Sequence, residues 1–247
     1  MRVKVVAHKL NRAVAIYRDE GFRAVALRLL HRIWRFAGGD DPKHAEWLKR
    51  KMADDAEFDA AHGTHTGGIQ ELFGFKIVGE NAGHGLSHIA SGSNEFSKMM
   101  AELDIEYKAF TFIDLGSGKG RALMLAAAFP FRRIVGVEFA AELHEVANAN
   151  IAALAVRQPA MPQVELICGD AAAYEFPNEP LIIYLFNPFG SAVIRSVAER
   201  AINSWRNANR PVHILYMNPV HVSDFVAAGW KLHNKVGVYA HLLPTTD

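Results

Sequence analysis

Cysteine is almost missing from this chain: Cys168 stands alone in 247 residues. That excludes an internal disulfide and any zinc site built on several thiolates, and it fits a reducing, cytoplasmic setting. An excess of one charge is also missing. Lys and Arg number 27 against 26 Asp and Glu, a formal charge of +1, so the overall balance argues against nucleic acid as a partner. No apolar run approaches the roughly 20 residues that cross a bilayer. The longest, residues 122–129 and 181–186, suit a buried helix and a buried strand. The N-terminus has no apolar core of the signal-peptide kind. Internal repeats and low-complexity segments are absent too. Apolar residues are plentiful, at 50% of the chain, enough at this length for one α/β domain with a modest extension.

Texture changes along the chain. Residues 1–36 are basic, with no acid before Asp19. Val14, Ile16, Val25, Leu29, Leu30 and Ile33 form an apolar stripe beside Arg12, Arg18, Arg23, Arg28, Arg32 and Arg35. This pattern predicts a retained helical arm packed on the main domain; its basic face would also suit an acidic membrane surface or acidic partner. Gly38, Gly39 and Pro42 end it, and a more polar helix is expected over 43–60. The division that follows is a basic helical extension over 1–60 and a main domain over 61–247. Residues 62–92 are rich in Gly and His. Long irregular loops in compact domains are often functional. His62, His65, His84 and Glu80 follow no recognised ligand spacing, so no metal is expected there.

From residue 93 the pattern is regular. A helix over 94–103 precedes strand 110–114, helix 120–129, strand 134–138, helix 141–154 and strand 164–168. Strand 181–186, helix 192–205, strand 212–217 and a short helix over 222–227 follow, then strands 230–235 and 238–243. Short apolar strands alternating with helices predict a parallel sheet covered on both faces. The tight turn at Val236-Gly237 makes the last two strands antiparallel.

Four motifs sit at strand ends. Asp114-Leu115-Gly116-Ser117-Gly118-Lys119-Gly120-Arg121 follows a strand and opens a helix, where a doubly wound sheet places its ligand. Gly116 and Gly118 permit a sharp turn and close backbone approach, and Asp114 suits a ligand ammonium. The spacing is G-x-G-x-G, not the G-x-G-x-x-G of dinucleotide folds. Glu138 ends the next strand about 20 residues on, the place for a grip on ribose hydroxyls; it indicates a nucleoside without saying which. Asp170 and the Ala171 N–H, at the third strand's end, suit an adenine amine and a ring nitrogen. Asn187-Pro188-Phe189 ends the fourth strand, where Asn187 would orient an acceptor and Phe189 wall the pocket. Glu80 is a lesser wall candidate, and His88 the one candidate general base.

In this order and spacing the motifs resemble class I methyltransferases that use S-adenosylmethionine (SAM). More narrowly, they resemble a bacterial set related to histone-lysine methyltransferases of the telomeric-silencing-disruptor type, over about residues 55–243. The resemblance implies a Rossmann-like α/β fold of seven mostly parallel strands with a C-terminal antiparallel hairpin. It implies SAM as cofactor: Asp114, Gly116, Ser117 and Gly118 on its methionine part, Glu138 on the ribose, Asp170 and Ala171 on the adenine, Asn187 near the reactive end. It places a protein side-chain nitrogen first among acceptors and a small molecule next. Two departures stand out. The amino-methyltransferase motif (Asn/Asp)-Pro-Pro-(Tyr/Phe) here has one proline, and the segment before the first motif reads His88-Ile89-Ala90-Ser91-Gly92-Ser93, without proline. A nicotinamide oxidoreductase shares the glycine loop but predicts a second mononucleotide half in place of the hairpin. A SAM-binding module without turnover shares every cofactor residue.

Overall fold

The computed structural model describes residues 42–245, apart from 73–74 and 82–83. The arm expected over 1–36 lies outside the described residues. Helix α1 (Pro42–His62) and helix α2 (Ser93–Ala101) lead into strand β1 (Thr111–Leu115), helix α3 (Arg121–Ala126) and strand β2 (Arg133–Glu138). Helix α4 (Ala141–Arg157), strand β3 (Val164–Cys168) and strand β4 (Leu181–Phe186) come next. Helix α5 (Ser191–Ala208), strand β5 (Val212–Met217), helix α6 (Val222–Ala227), strand β6 (Trp230–Val236) and strand β7 (Tyr239–Pro244) complete the order. The division expected at residue 60 therefore falls inside α1, two residues before its end.

The strands form one sheet in the order β3-β2-β1-β4-β5-β7-β6. The first five pair in parallel, and β7 pairs antiparallel with both β5 and β6. The fold is thus the expected Rossmann-like arrangement of seven mostly parallel strands, with the hairpin where a second mononucleotide half would be.

Burial explains the pattern. Successive side chains on a strand point to opposite faces, and the central strands bury both: β1 is covered at all five positions and β4 at five of six. One face carries Ile113, Val135, Ile183, Ile214 and Tyr216 against Val193, Ile194, Val197 and Ala201 of α5. The other carries Phe112, Ile134, Ile182 and Leu215 against Phe96, Met99 and Met100 of α2 and Leu123 of α3. The edge strand β6 buries only Trp230, whose indole N–H donates to the Ala198 carbonyl at 3.0 Å. Exposed Lys231 and Lys235 on that edge discourage pairing with a further strand.

The chain reverses direction across the sheet between β1 and β4. After β1 it winds outward to β2 and β3, then returns to β4 on β1's other side. Loops leaving those two strands diverge and leave a crevice at the carboxyl ends. Within residues 62–92, the stretch that showed no periodicity, isolated bridges join Ile77 to Ala140 and Gly85 to Phe189, just past the ends of β2 and β4, and Gln70 to His88.

Candidate active site at the strand ends

The turn after β1 depends on glycine. Gly116 has φ +83° and a Cβ there would lie 2.4 Å from the Pro188 Cβ; Gly118 has φ +54° and its Cβ would lie 2.3 Å from His88 Nδ1. Any side chain at either position is strained by the backbone and blocked by a neighbour. The Gly116 and Ser117 N–H groups both donate to the Val137 carbonyl, at 2.9 and 3.1 Å, which ties the loop to β2.

That tie brings two carboxylates to the same crevice. Asp114 and Glu138 are 3% and 4% exposed. Glu138 Oε2 accepts from the Gly118 N–H at 2.7 Å, and Oε1 from the Ala140 N–H at 2.8 Å. Burial pushes the Glu138 carboxyl up to about 6, against the lowering effect of N–H groups from Ala140, Gly118 and Phe139. Asp114 is raised well above the usual carboxylate range by burial and then by the neighbouring Glu138 charge. Among the described residues neither carboxylate has an ion pair. The nearest cations in sequence are engaged elsewhere: Lys119 Nζ donates to the Gly67 carbonyl at 2.7 Å, and Arg121 is held by Asp55 at 3.2 Å. Ser117 Oγ is buried here with no hydrogen-bond partner among the described residues.

Asp114, Gly116, Ser117, Gly118, Glu138 and Phe189 line this one crevice, together with Ser91, Tyr184 and His88. Ser91 Oγ and Tyr184 Oη are 2.8 Å apart and buried, so the serine of the proline-free segment has a partner on β4. Phe189 stands edge-on to Phe139, centroids 6.2 Å apart. Asp170, Ala171 and Asn187 do not line the crevice. Asp170 caps the short turn Ala171–Ala173, accepting from the Ala172 N–H at 2.9 Å, and accepts from Asn81 Nδ2 at 2.6 Å. Ala171 is buried beneath it. Asn187, at φ +41°, accepts through Oδ1 from the Tyr216 hydroxyl at 3.0 Å. Glu80 is exposed and outside the lining. His62 Nδ1 is 2.8 Å from the Phe58 carbonyl, and among the described residues no group of three or more His, Cys, Asp or Glu is placed to hold a metal ion.

Sequence reasoning did not foresee Tyr184, Asn81 or the role of Arg121. Arg121 is 1% exposed. Its guanidinium lies 3.9 Å from the Phe58 ring centroid and is bonded to Asp55 and to Thr66 Oγ1, with Asp59 at 3.8 Å. Its position directly after three alternating glycines was the one available signal.

Would SAM fit? The residues do. Two buried, unpaired carboxylates and an orphaned hydroxyl suit a ligand bearing cationic centres and hydrogen-bonding groups. The room does not, as the side chains lie: the crevice holds about 50 Å³, space for a few waters and far below the roughly 300 Å³ of small-ligand pockets.

No known family profile matches the chain, and no curated protein matches it by sequence. Solved structures resemble it in fold. The pyocyanin biosynthetic protein PhzM matches with TM-score 0.47 and 16% identity, over 61% of this chain and 54% of that one. The 23S rRNA methyltransferase ErmE matches with TM-score 0.44 and 13% identity, over 65% of this chain and 71% of that one. A putative RNA methyltransferase from Pyrococcus horikoshii matches with TM-score 0.43 and 17% identity, over 61% and 82%. The chain thus spans about half the length of the first of these. Among the described residues no helix is long and apolar enough to cross a membrane.

Proposed function

We propose that this protein is a SAM-dependent methyltransferase whose acceptor is a protein side-chain nitrogen, with a small molecule as the next class. The observation that carries the reading is the pair Asp114 and Glu138, buried at adjacent strand ends with no ion pair to either among the described residues. Burying a carboxylate costs several kcal/mol unless a partner compensates it. A chain that keeps two of them beside a glycine turn at the sheet's switch point has built a receptor for a cationic nucleoside. Glu138 would suit the ribose of NAD as well, but NAD, the other ligand of such loops, brings a pyrophosphate to the glycine turn, where Asp114 would repel it.

In this reading Asp114 holds the ammonium, Ser117 and the Gly116–Gly118 backbone take the carboxylate end, Glu138 the ribose hydroxyls, and Asp170 with Ala171 the adenine. When bound, SAM supplies an electrophilic methyl group on a sulfonium. The protein's part in an in-line displacement is to align the acceptor, exclude water and leave the acceptor's lone pair unprotonated. Phe189 and Tyr184 wall the site. Asn187 has its carbonyl oxygen engaged by Tyr216, so its amide hydrogens are what it offers an acceptor. Such a donor suits a neighbouring oxygen of the acceptor better than the attacking nitrogen, whose lone pair must stay free. The resemblance of the strand-end motifs to lysine methyltransferases is the ground for a protein acceptor, and the near-neutral charge disfavours nucleic acid. The basic residues before 42 would serve an acidic partner or membrane surface.

The test is twofold. Calorimetric titration with SAM and with NAD should give binding for SAM alone; the reverse result ends the reading. Incubation of a cell lysate with radiolabelled SAM, followed by protease or nuclease, should leave the label protease-sensitive. Label that survives both treatments would move the acceptor to a small molecule.

A further inference from the structure

The crevice is narrow, and two of the chain's own side chains, His88 in its lining and Asn81 on Asp170 outside it, stand where the proposed ligand's two ends would bind. At one end His88 lies against the glycine turn. Its Nδ1 is 2.3 Å from where a Gly118 Cβ would be, so no ligand atom can approach that side of the turn while the ring stays. The ring is held from behind, its Nε2 3.3 Å from the Thr66 carbonyl. That contact makes Nε2 the protonated nitrogen and turns the Nδ1 lone pair toward the turn. At the other end Asn81 donates its amide N–H to Asp170 Oδ2 at 2.6 Å. A primary amide donating to this carboxylate reproduces the contact assigned above to an adenine amine. Between the two, the backbone is pinned to the acceptor side: Leu86 N–H donates to the Pro188 carbonyl at 3.0 Å, and Gly190 N–H to the His84 carbonyl at 2.8 Å.

We propose that residues 79–81 and 84–91 form an internal gate, in which Asn81 and His88 compete with the cofactor for Asp170 and the glycine turn and must be displaced for it to enter. This rests on the SAM reading. The gate is stapled to Pro188 and Gly190, beside the acceptor residues, so opening it reshapes the acceptor side as well. Cofactor entry and acceptor-site assembly are thereby one movement. A competitor inside the site lowers apparent affinity by the fraction of molecules in which the gate is open.

The test is SAM binding to the wild type and to Asn81→Ala and His88→Ala, by stopped-flow association together with calorimetry, with a thermal melt to confirm folding. Each variant removes one competing contact and should bind roughly threefold to tenfold tighter, the gain lying in the association rate. Either variant serves if the other folds poorly. Wild-type binding with variants that bind equally or more weakly overturns the gate while leaving the cofactor assignment standing. No binding by any of the three overturns the cofactor assignment, and the gate with it. Amide exchange adds an independent reading. The His88 and Leu86 N–H groups, protected by Gln70 and Pro188, should lose protection on SAM addition if the segment swings clear, and gain it if the segment only tightens.

Discussion

Two clusters of buried charge lie within a few residues of each other, and they are built on opposite plans. In one, Arg121 is enclosed by Asp55, Asp59, Thr66 and the face of Phe58, with Lys51 also on Asp55. Positive and negative groups are matched, and α1 is fastened to the glycine turn. In the other, Asp114 and Glu138 are as deeply buried and, among the described residues, neither has an ion pair, although Arg121 also lines their crevice. A matched cluster contributes to holding the molecule together. An unmatched one costs stability and is kept for something that arrives from outside.

The largest effect is expected in the matched cluster. Arg121→Ala takes the guanidinium from Asp55, which keeps only Lys51, and from the half-buried Asp59, and should cost about 3 kcal/mol of stability, read from the urea midpoint. A loss below about 1 kcal/mol would mean that α1 is merely laid on the surface. Next comes Glu138→Ala in the unmatched cluster. It leaves the Gly118 and Ala140 N–H groups without their acceptor, which should cost about 1–3 kcal/mol of stability, and should weaken SAM binding about 100-fold, the worth of two hydrogen bonds to a charged group. Unchanged calorimetric affinity would remove Glu138 from the site.

Acidification separates the clusters without mutation. Glu138, raised to about 6, is anionic above that value and neutral below it. Affinity for a cationic ligand should hold above pH 7 and decline as the pH falls through 6, by up to about tenfold per unit. The fold should survive the same change, because a raised carboxyl favours the folded state once protonated. Asp59 behaves oppositely. Burial acts to raise it, but hydrogen bonds from Thr66, Gly67 and Thr64 hold it below 3.8. Its contribution is present above 3.8 and fades only as the pH falls through its lowered value. Binding should therefore fail near pH 6 and the clasp only below about 4. Loss of both together would show that they are not independent.

The two clusters also differed in how far the sequence disclosed them. The strands β3, β4 and β5 and the helix α6 have the bounds read from their apolar runs. With the strands in place, Asp114 and Glu138 are neighbours by register, since Leu115 pairs with Val137. Local pattern therefore carried the unmatched pair. It could not carry the matched one. Asp54, Asp55 and Asp59 fall in the helix expected over 43–60 only as a polar one, and their partner Arg121 is more than 60 residues away and on another element. The Gly/His-rich stretch was opaque for a similar reason: its order comes from single bridges to Ala140 and Phe189, not from a period of its own. The Asn187 carboxamide, expected over the acceptor, is oriented by Tyr216 on β5, a contact no spacing within the motif can indicate.

The smallest substitution is the most direct test. Asp114→Asn keeps the side chain's size while removing its capacity for negative charge and placing an amide donor there, so the unliganded protein should melt no lower than the wild type and up to a few degrees higher. The same protein, titrated with SAM in the calorimeter at pH 7.5, should bind at least tenfold more weakly than the wild type. A variant that melts lower than the wild type, or one that binds SAM as tightly, would contradict the claim that this carboxylate is buried for the sake of a cationic ligand.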